Sequence, residues 1–322
     1  MKSIGGFFEL EIVEGNSLYH DNAIKLSTGR ACLNYILKTR KPSKVYIPFY
    51  CCNALIEPII LNDIEYEFYS IDKQLELKIL PKLKVTEIII YINFFGIKEK
   101  YLNTLLNFFG DKLVIDNTHS FFTKGYKTKN GSFSSARKYF GVPDGAFLYM
   151  DEPEKYKINI KRNQNISVNH NVNRLLGLQE KAYVEYLEYE KSLNSDIEEI
   201  SILSEKILST INYTEVRKTR NDNFDFFRNE FDKLNQLTID KSVTDCFCYP
   251  LLLEKPIEKE KLYAEKIFVP NLWLDTLSRN EKKDYDIECK LSLELLPLPI
   301  DHRYSTKDLH RVSDALKKII NG

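Results

Sequence analysis

The sequence predicts an α/β protein with a large domain on a mostly parallel sheet, followed by a small C-terminal α+β domain. Two observations carry this. Short β-rich runs bounded by amphipathic helical segments fill the first part of the chain, the pattern of a parallel sheet covered on both faces. A long helical stretch rich in Glu and Lys then leads into a compact alternation of helices and strands. The division is expected at residues 1–205 and 206–322, with the connecting helix in the first part.

The elements follow in order. KVYIPFY is a strand, CCNALIEPIILN a helix and YEFYSI a strand; TEIIIYINFF, EKYLNTLLNFFG and KLVIDNT repeat the sequence strand, helix, strand. From Arg174 to Ser209 the apolar positions Leu175, Leu178, Tyr183, Tyr186, Leu187, Ile200, Leu203 and Ile207 fit a helical stretch broken near Asn194 and Ser195. After it come a helix NFDFFRNEFDKLNQL, a strand CFCYPLLL, a helix EKEKLYAEK, a strand IFVPNLWL and a terminal amphipathic helix DLHRVSDALKKII. The asparagine-rich run NQNISVNHNVN is expected to be a surface or interface loop.

With 322 residues, 43% of them hydrophobic, the chain can bury a sizeable core. Lys+Arg and Asp+Glu are equal at 46, so no net field draws nucleic acid or a membrane surface to it. Its longest apolar runs, such as EIIIYINFFGI, are too short to span a bilayer, and MKSIGGFFELEIVEG carries acidic residues in its apolar stretch, so a cytoplasmic protein is expected. The six cysteines, Cys32, Cys51, Cys52, Cys246, Cys248 and Cys289, include an adjacent pair and a C-x-C but no second half of a zinc site; they fit buried small hydrophobes, and no metal is expected.

In an open α/β sheet, ligands bind at the carboxyl ends of the strands. Tyr50, Phe94 and Asp116, all at or just beyond strand ends, are expected around one crevice. Downstream, the hydroxyl cluster Ser132, Ser134 and Ser135 leads into Lys138. A buried carboxylate suits a pyridinium nitrogen, hydroxyls suit a phosphate, and a lysine suits an aldehyde, so the set suits pyridoxal phosphate. Thr28-Gly29-Arg30 opens the helix RACLNYILKT, whose first amides can face a phosphate. Each residue has a plainer reading: Thr28 as a helix cap, Asp116 as an Asx turn with Asn117 and Thr118, His119 as a loop residue without a role, Lys138 as a solvated lysine beside Arg137.

Six stretches, in order, resemble the DegT/DnrJ/StrS family of PLP-dependent sugar aminotransferases. Ser27-Thr28-Gly29-Arg30-Ala31 is similar to its S-G-x-x-A phosphate turn, and Val45–Tyr50 to the strand-P-x-Y segment that follows. Asp116-x-x-His119, then SFSSARK, then Pro143-Asp144-Gly145 resembles its cofactor segment. Asn171 to Gln179 resembles N-x-R-L-x-x-x-Q, Pro270 to Trp273 a small-domain P-x-x-W strand, and Leu296 to Asp308 the L-P-x-D-x-R-Y-x-x-x-D ending. The chain departs by about one residue in the serine-to-lysine spacing, and Val172 stands where the asparagine is expected, leaving Asn171 and Asn173 as alternatives.

The resemblance implies an aspartate aminotransferase-like fold. It implies Lys138 and Asp116 as catalytic residues, and Thr28, Gly29, Arg30, Tyr50, Asp116, His119, Ser134, Ser135, Lys138 and Asn171 or Asn173 as contacts of pyridoxal 5′-phosphate. Small-molecule substrates follow: an amino donor, usually glutamate, and a keto sugar, usually nucleotide-linked, in cell-surface polysaccharide or related biosynthesis. A homodimer with shared active sites is implied, Arg174 and the nearby asparagine reaching into the neighbour. The competing readings are another PLP-dependent sugar-modifying enzyme on this scaffold, or a noncatalytic sugar-nucleotide-binding or regulatory member. A lysine at position 138 argues against the dehydratase branch, which carries histidine there.

Overall fold

A computed structural model describes residues 6, 8–126, 128–151 and 160–321. Most of the N-terminal stretch MKSIGGF on which the targeting reading begins lies outside them. The first half alternates as expected: β1 (Ile24–Leu26), α1 (Gly29–Arg40), β2 (Lys44–Pro48), α2 (Asn53–Leu61), β3 (Glu65–Tyr69), β4 (Glu87–Ile92), α3 (Glu99–Phe109), β5 (Leu113–Asp116), β6 (Ser132–Ser135) and β7 (Ala146–Tyr149). Beyond these lie β8 (Lys161–Arg162), α4 (Asn169–Leu175), α5 (Gln179–Ser192), β9 (Glu198–Glu199) and α6 (Ile202–Ser209). Then come α7 (Tyr213–Phe231), β10 (Tyr249–Leu251), α8 (Lys259–Ala264), α9 (Asp275–Ser278), α10 (Asp286–Glu294), β11 (Leu296–Leu298) and α11 (Thr306–Asn321).

Among the described residues, nine strands form one sheet in the order β3-β2-β4-β5-β6-β7-β1-β9-β8. From β3 to β6 every pairing is parallel; β7 runs against both β6 and β1. All six residues of β4 and all four of β5 are buried, which is why those runs show no alternation in the sequence. The helix α1 covers the sheet with an unbroken buried stretch from Ala31 to Leu37, and α3 contributes Leu102, Leu105 and Phe109. No helix among the described residues is long and apolar enough to cross a membrane.

Three local expectations are corrected. IFVPNLWL is not a strand. Its backbone is engaged elsewhere: Ile267 N–H bonds the carbonyl of Leu262, the Val269 carbonyl accepts from Tyr263, and Trp273 takes the left-handed region at φ 58°. The strand that pairs antiparallel with β10 is β11 instead. The asparagine-rich run is partly helical, as α4, which packs on α5. The helical stretch does break after Ser192, but the break holds β9, which adds to the large sheet against β1.

The Pro143-Asp144-Gly145 segment proves architectural. Asp144 is fully buried and accepts hydrogen bonds from Ser201 N–H (2.8 Å), Ser201 Oγ (2.6 Å), Asn163 Nδ2 (3.0 Å) and Ser204 Oγ. It thereby ties the β9–α6 connection to the end of the sheet. Gly145 has φ 122°, and a Cβ there would stand 2.9 Å from Ile200 Cδ1.

Candidate active site

The parallel strands β2, β4 and β5 deliver their successors to one edge. Tyr50 follows β2, Phe94 follows β4, and their rings stack with centroids 5.8 Å apart. Asp116 closes β5, its carbonyl accepting from Asn93 N–H at 2.9 Å, while Asn117 N–H reaches Phe133 of β6 at 2.7 Å. The carboxylate is buried, and its Oδ1 accepts from Thr118 N–H at 2.8 Å, the Asx turn the sequence allows. That single turn does not offset the loss of water. Burial pushes the Asp116 carboxyl up to about 6, against the Thr118 bonds and the Lys138 charge, which pull it down.

The N-terminus of α1 meets the same loop. Thr28 caps it, its hydroxyl accepting from Ala31 N–H at 3.0 Å, and a Cβ on Gly29 would lie 3.4 Å from Thr118 Cγ2 and 3.6 Å from the Phe133 ring. In a capped first turn the amides of residues 29 and 30 have no intrahelical acceptor, so the helix end presents donors beside β6. Ser134 and Ser135 are buried there; Ser132 instead accepts from Tyr126 N–H at 2.8 Å and is structural. Arg30 pairs with Glu57 at 3.0 Å.

Lys138 ends the short turn after β6 and is exposed. Its neighbour Arg137 is bound to Glu190 of α5. The Lys138 ammonium is close enough to lower the Asp116 carboxyl and the Cys52 thiol and to add to the burial that keeps the His119 imidazole neutral. Lys138 thus lies within electrostatic reach of Asp116. Asn171 lies beside Gly141, three residues after Lys138, whereas Asn173 donates to Glu185 Oε2 at 2.6 Å and closes the α4–α5 hairpin. Arg174 reaches the Tyr304 hydroxyl of its own chain.

Three residues around His119 were not expected. Its ring lies parallel to Phe247 (4.3 Å, 11°), Trp273 (5.3 Å, 6°) and Phe95 (5.8 Å, 23°). Gly96 permits this approach: a Cβ there would stand 2.7 Å from the His119 carbonyl and 3.2 Å from Cys246 Cα. No spacing rule in the sequence links Phe95, Phe247 and Trp273, which come from three distant segments.

The donor set fits a planar, phosphorylated heteroaromatic ring. Tyr50 OH, His119 Nδ1, Asn117 Nδ2 and Ser134 Oγ are buried without a hydrogen-bond partner among the described residues. Four such atoms on the segments that meet at this edge are costly in a finished core and ordinary in a site built for a polar ligand.

No family model matches the sequence, and no curated protein does. Solved structures do match in shape. A sugar aminotransferase from Micromonospora echinospora superposes with a TM-score of 0.65 at 12% identity, over 94% of this chain and 88% of that one. A DegT/DnrJ/EryC1/StrS aminotransferase from Brucella abortus gives 0.59 at 16% identity, over 92% and 85%. A protein from Streptococcus pneumoniae assigned as a sugar aminotransferase, in its PMP form, gives 0.65 at 12% identity, over 95% and 92%. At these identities the likeness establishes the fold: the large, mostly parallel sheet and the elements after it are arranged as in aminotransferases of this shape.

Proposed function

We propose that this chain is a pyridoxal phosphate-dependent aminotransferase that moves an amino group, from glutamate or a similar donor, to a keto sugar, most simply a nucleotide-linked one. The observation that carries the reading is the buried, acid-weakened Asp116, within electrostatic reach of Lys138 and accompanied by unpaired buried donors. The sugar aminotransferases it superposes with, and the motifs from Thr28 to Asp308, support the substrate class.

The coenzyme, when bound, supplies an electron sink and a carrier for the amino group. The residues of the chain do the rest. Lys138 Nζ would hold the coenzyme covalently and, once displaced by the donor, would carry the proton between the donor Cα and the coenzyme C4′. Asp116 would keep a proton on the ring nitrogen, and that cation would offset the desolvation that raises this carboxyl. Thr28, the Gly29 and Arg30 amides, Ser134 and Ser135 would hold the phosphate, and His119 and Tyr50 would flank the ring.

The arrangement is proposed as a homodimer with a large unit over 1–205 and a small one over 206–322. The nine-stranded sheet lies within the first range and the β10–β11 pair within the second. The exposed apolar face of the α4–α5 hairpin, next to Asn171, supports a second copy there.

The deciding experiment is borohydride reduction in the presence of pyridoxal phosphate followed by peptide mapping. The pyridoxyl group is expected on Lys138 and absent from Lys138→Ala. Label on another lysine alone sinks the assignment. Glutamate-dependent amination of keto-sugar nucleotides then tests the substrate class.

A further inference from the structure

A ligand anchored at two points needs those points at a fixed separation. In the functional reading above, the phosphate end rests on the first turn of α1 and the aldehyde on Lys138, which belong to different segments. The turn that carries Lys138 is closed on itself by Ala136 N–H on the Gly145 carbonyl at 2.9 Å, and the Tyr139 hydroxyl ties it to the His119 carbonyl at 2.7 Å.

Two consecutive residues of α5 grip this turn before and after the lysine. Glu190 takes the Arg137 guanidinium, whose central carbon also lies 5.5 Å from the centroid of the Tyr189 ring. An arginine suits that place, because its planar fork pairs with a carboxylate and lies on a ring at once. The buried Tyr189 then donates its hydroxyl to the Pro143 carbonyl at 3.1 Å, and the His170 ring of α4 lies against it at 5.4 Å and 26°.

Glu190 is also where cations of the site converge. Against burial, which would raise it, Arg137, Lys138 and Arg30 together hold the Glu190 carboxyl below its ordinary value. These three come from both anchor points. Arg30 belongs to the first turn of α1 and is fixed in its own right by Glu57 at 3.0 Å, which also accepts from Ser195 Oγ at 2.6 Å. A partly exposed ion pair such as Arg137–Glu190 contributes little to stability on its own. Its place between the lysine turn and the α1 end is what distinguishes it.

Resting on the functional reading above, we infer that Glu190 is a positioning residue for Lys138: through Arg137 it holds the lysine turn at the distance from the first turn of α1 that a phosphorylated pyridoxal ring spans. It touches no reacting atom. Without it the turn shifts relative to the phosphate end, and a misplacement of about 1 Å can cost on the order of a hundredfold.

Pyridoxal, which has the same ring and aldehyde but no phosphate, is the control, because its capture by Lys138 does not depend on that distance. Wild type, E190Q, E190D and R137K are titrated with pyridoxal phosphate or with pyridoxal, reduced with borohydride and mapped for the pyridoxyl group on Lys138. E190Q keeps the size and an acceptor of Glu190 but not its charge, and its preference for the phosphorylated aldehyde should fall about tenfold. Charge alone works the other way, since deleting an acid near a dianion favours the dianion. R137K should lose the preference likewise, and E190D should recover most of it. An unchanged or increased preference in E190Q and R137K would overturn the positioning role and leave the functional reading standing. Equal losses with both aldehydes would overturn it too, because that is the effect of a loosened fold. No label on Lys138 in the wild-type chain would overturn the functional reading and this role with it. If E190Q does not fold, R137K carries the same comparison.

Discussion

Asp116 is where stability and proposed chemistry oppose each other. Its folded-state value of about 6 lies above the ordinary carboxylate value, so between roughly pH 4 and 6 the native chain binds more protons than the unfolded one. The unloaded protein therefore loses stability as pH rises through that window, and above it the buried charge costs about 3 kcal/mol. Asp116→Asn should raise the melting temperature of the coenzyme-free protein at pH 8, with the gain vanishing near pH 4, while transamination falls by orders of magnitude because an amide does not hold the ring proton. A variant no more stable than wild type at pH 8 would show that the carboxylate is solvated. Ser134 makes the same kind of statement on a smaller scale. Its buried hydroxyl is unpaired, so Ser134→Ala should stabilise the unloaded chain by about 1 kcal/mol and weaken coenzyme binding. Equilibrium unfolding and dialysis with pyridoxal phosphate read the two effects separately. If only Ser135→Ala weakens binding, the phosphate rests on the other serine.

The elements were legible to different degrees, for physical reasons. β4 and β5 could be read because strands buried on both faces are apolar throughout, and Tyr50, Phe94 and Asp116, at or just beyond the ends of β2, β4 and β5, do lie at one edge. Asp116 and Lys138 stood out because the chain carries them in adjoining segments of one sheet edge. The box around His119 did not, since Phe95, Phe247 and Trp273 meet only through tertiary packing. IFVPNLWL has a strand's composition, but its backbone groups are taken by α8 and by side chains. Helix α4 was hidden by its asparagines, one of which is spent on Glu185. In the case of Asp144, a motif resembling part of a cofactor segment holds elements together. Removing its carboxylate leaves two hydroxyls, an amide N–H and Asn163 Nδ2 competing for water they cannot reach. Asp144→Ala should therefore destabilise the fold by more than about 3 kcal/mol, measured by urea unfolding. A loss below about 1 kcal/mol would mean the connection relaxes freely.

At the scale of the whole molecule, a conspicuous apolar surface is left uncovered among the described residues. On the α4–α5 hairpin Leu175 is 86% exposed and Leu176 65%, with Leu178, Tyr183, Val184 and Leu187 exposed around them. The sequence pattern placed Leu175, Leu178, Tyr183 and Leu187 among the apolar positions of a connecting helical stretch. Monomeric chains seldom leave so many large apolar side chains adjacent and solvated, because water penalises the patch by about 25 cal/mol per Å². The same hairpin carries Asn171 beside the Lys138 turn, so a copy docked on it would lie against the proposed site. Leu175→Glu combined with Leu176→Glu puts two charges into that face without touching a buried position. The wild-type chain is expected to sediment as a dimer and the double variant as a folded monomer with unchanged circular dichroism. Coenzyme capture should weaken along with dimerisation if the site is completed across the interface. A wild-type chain that sediments as a monomer at micromolar concentration would remove the dimer, and a dimer untouched by the two charges would move its interface to another face.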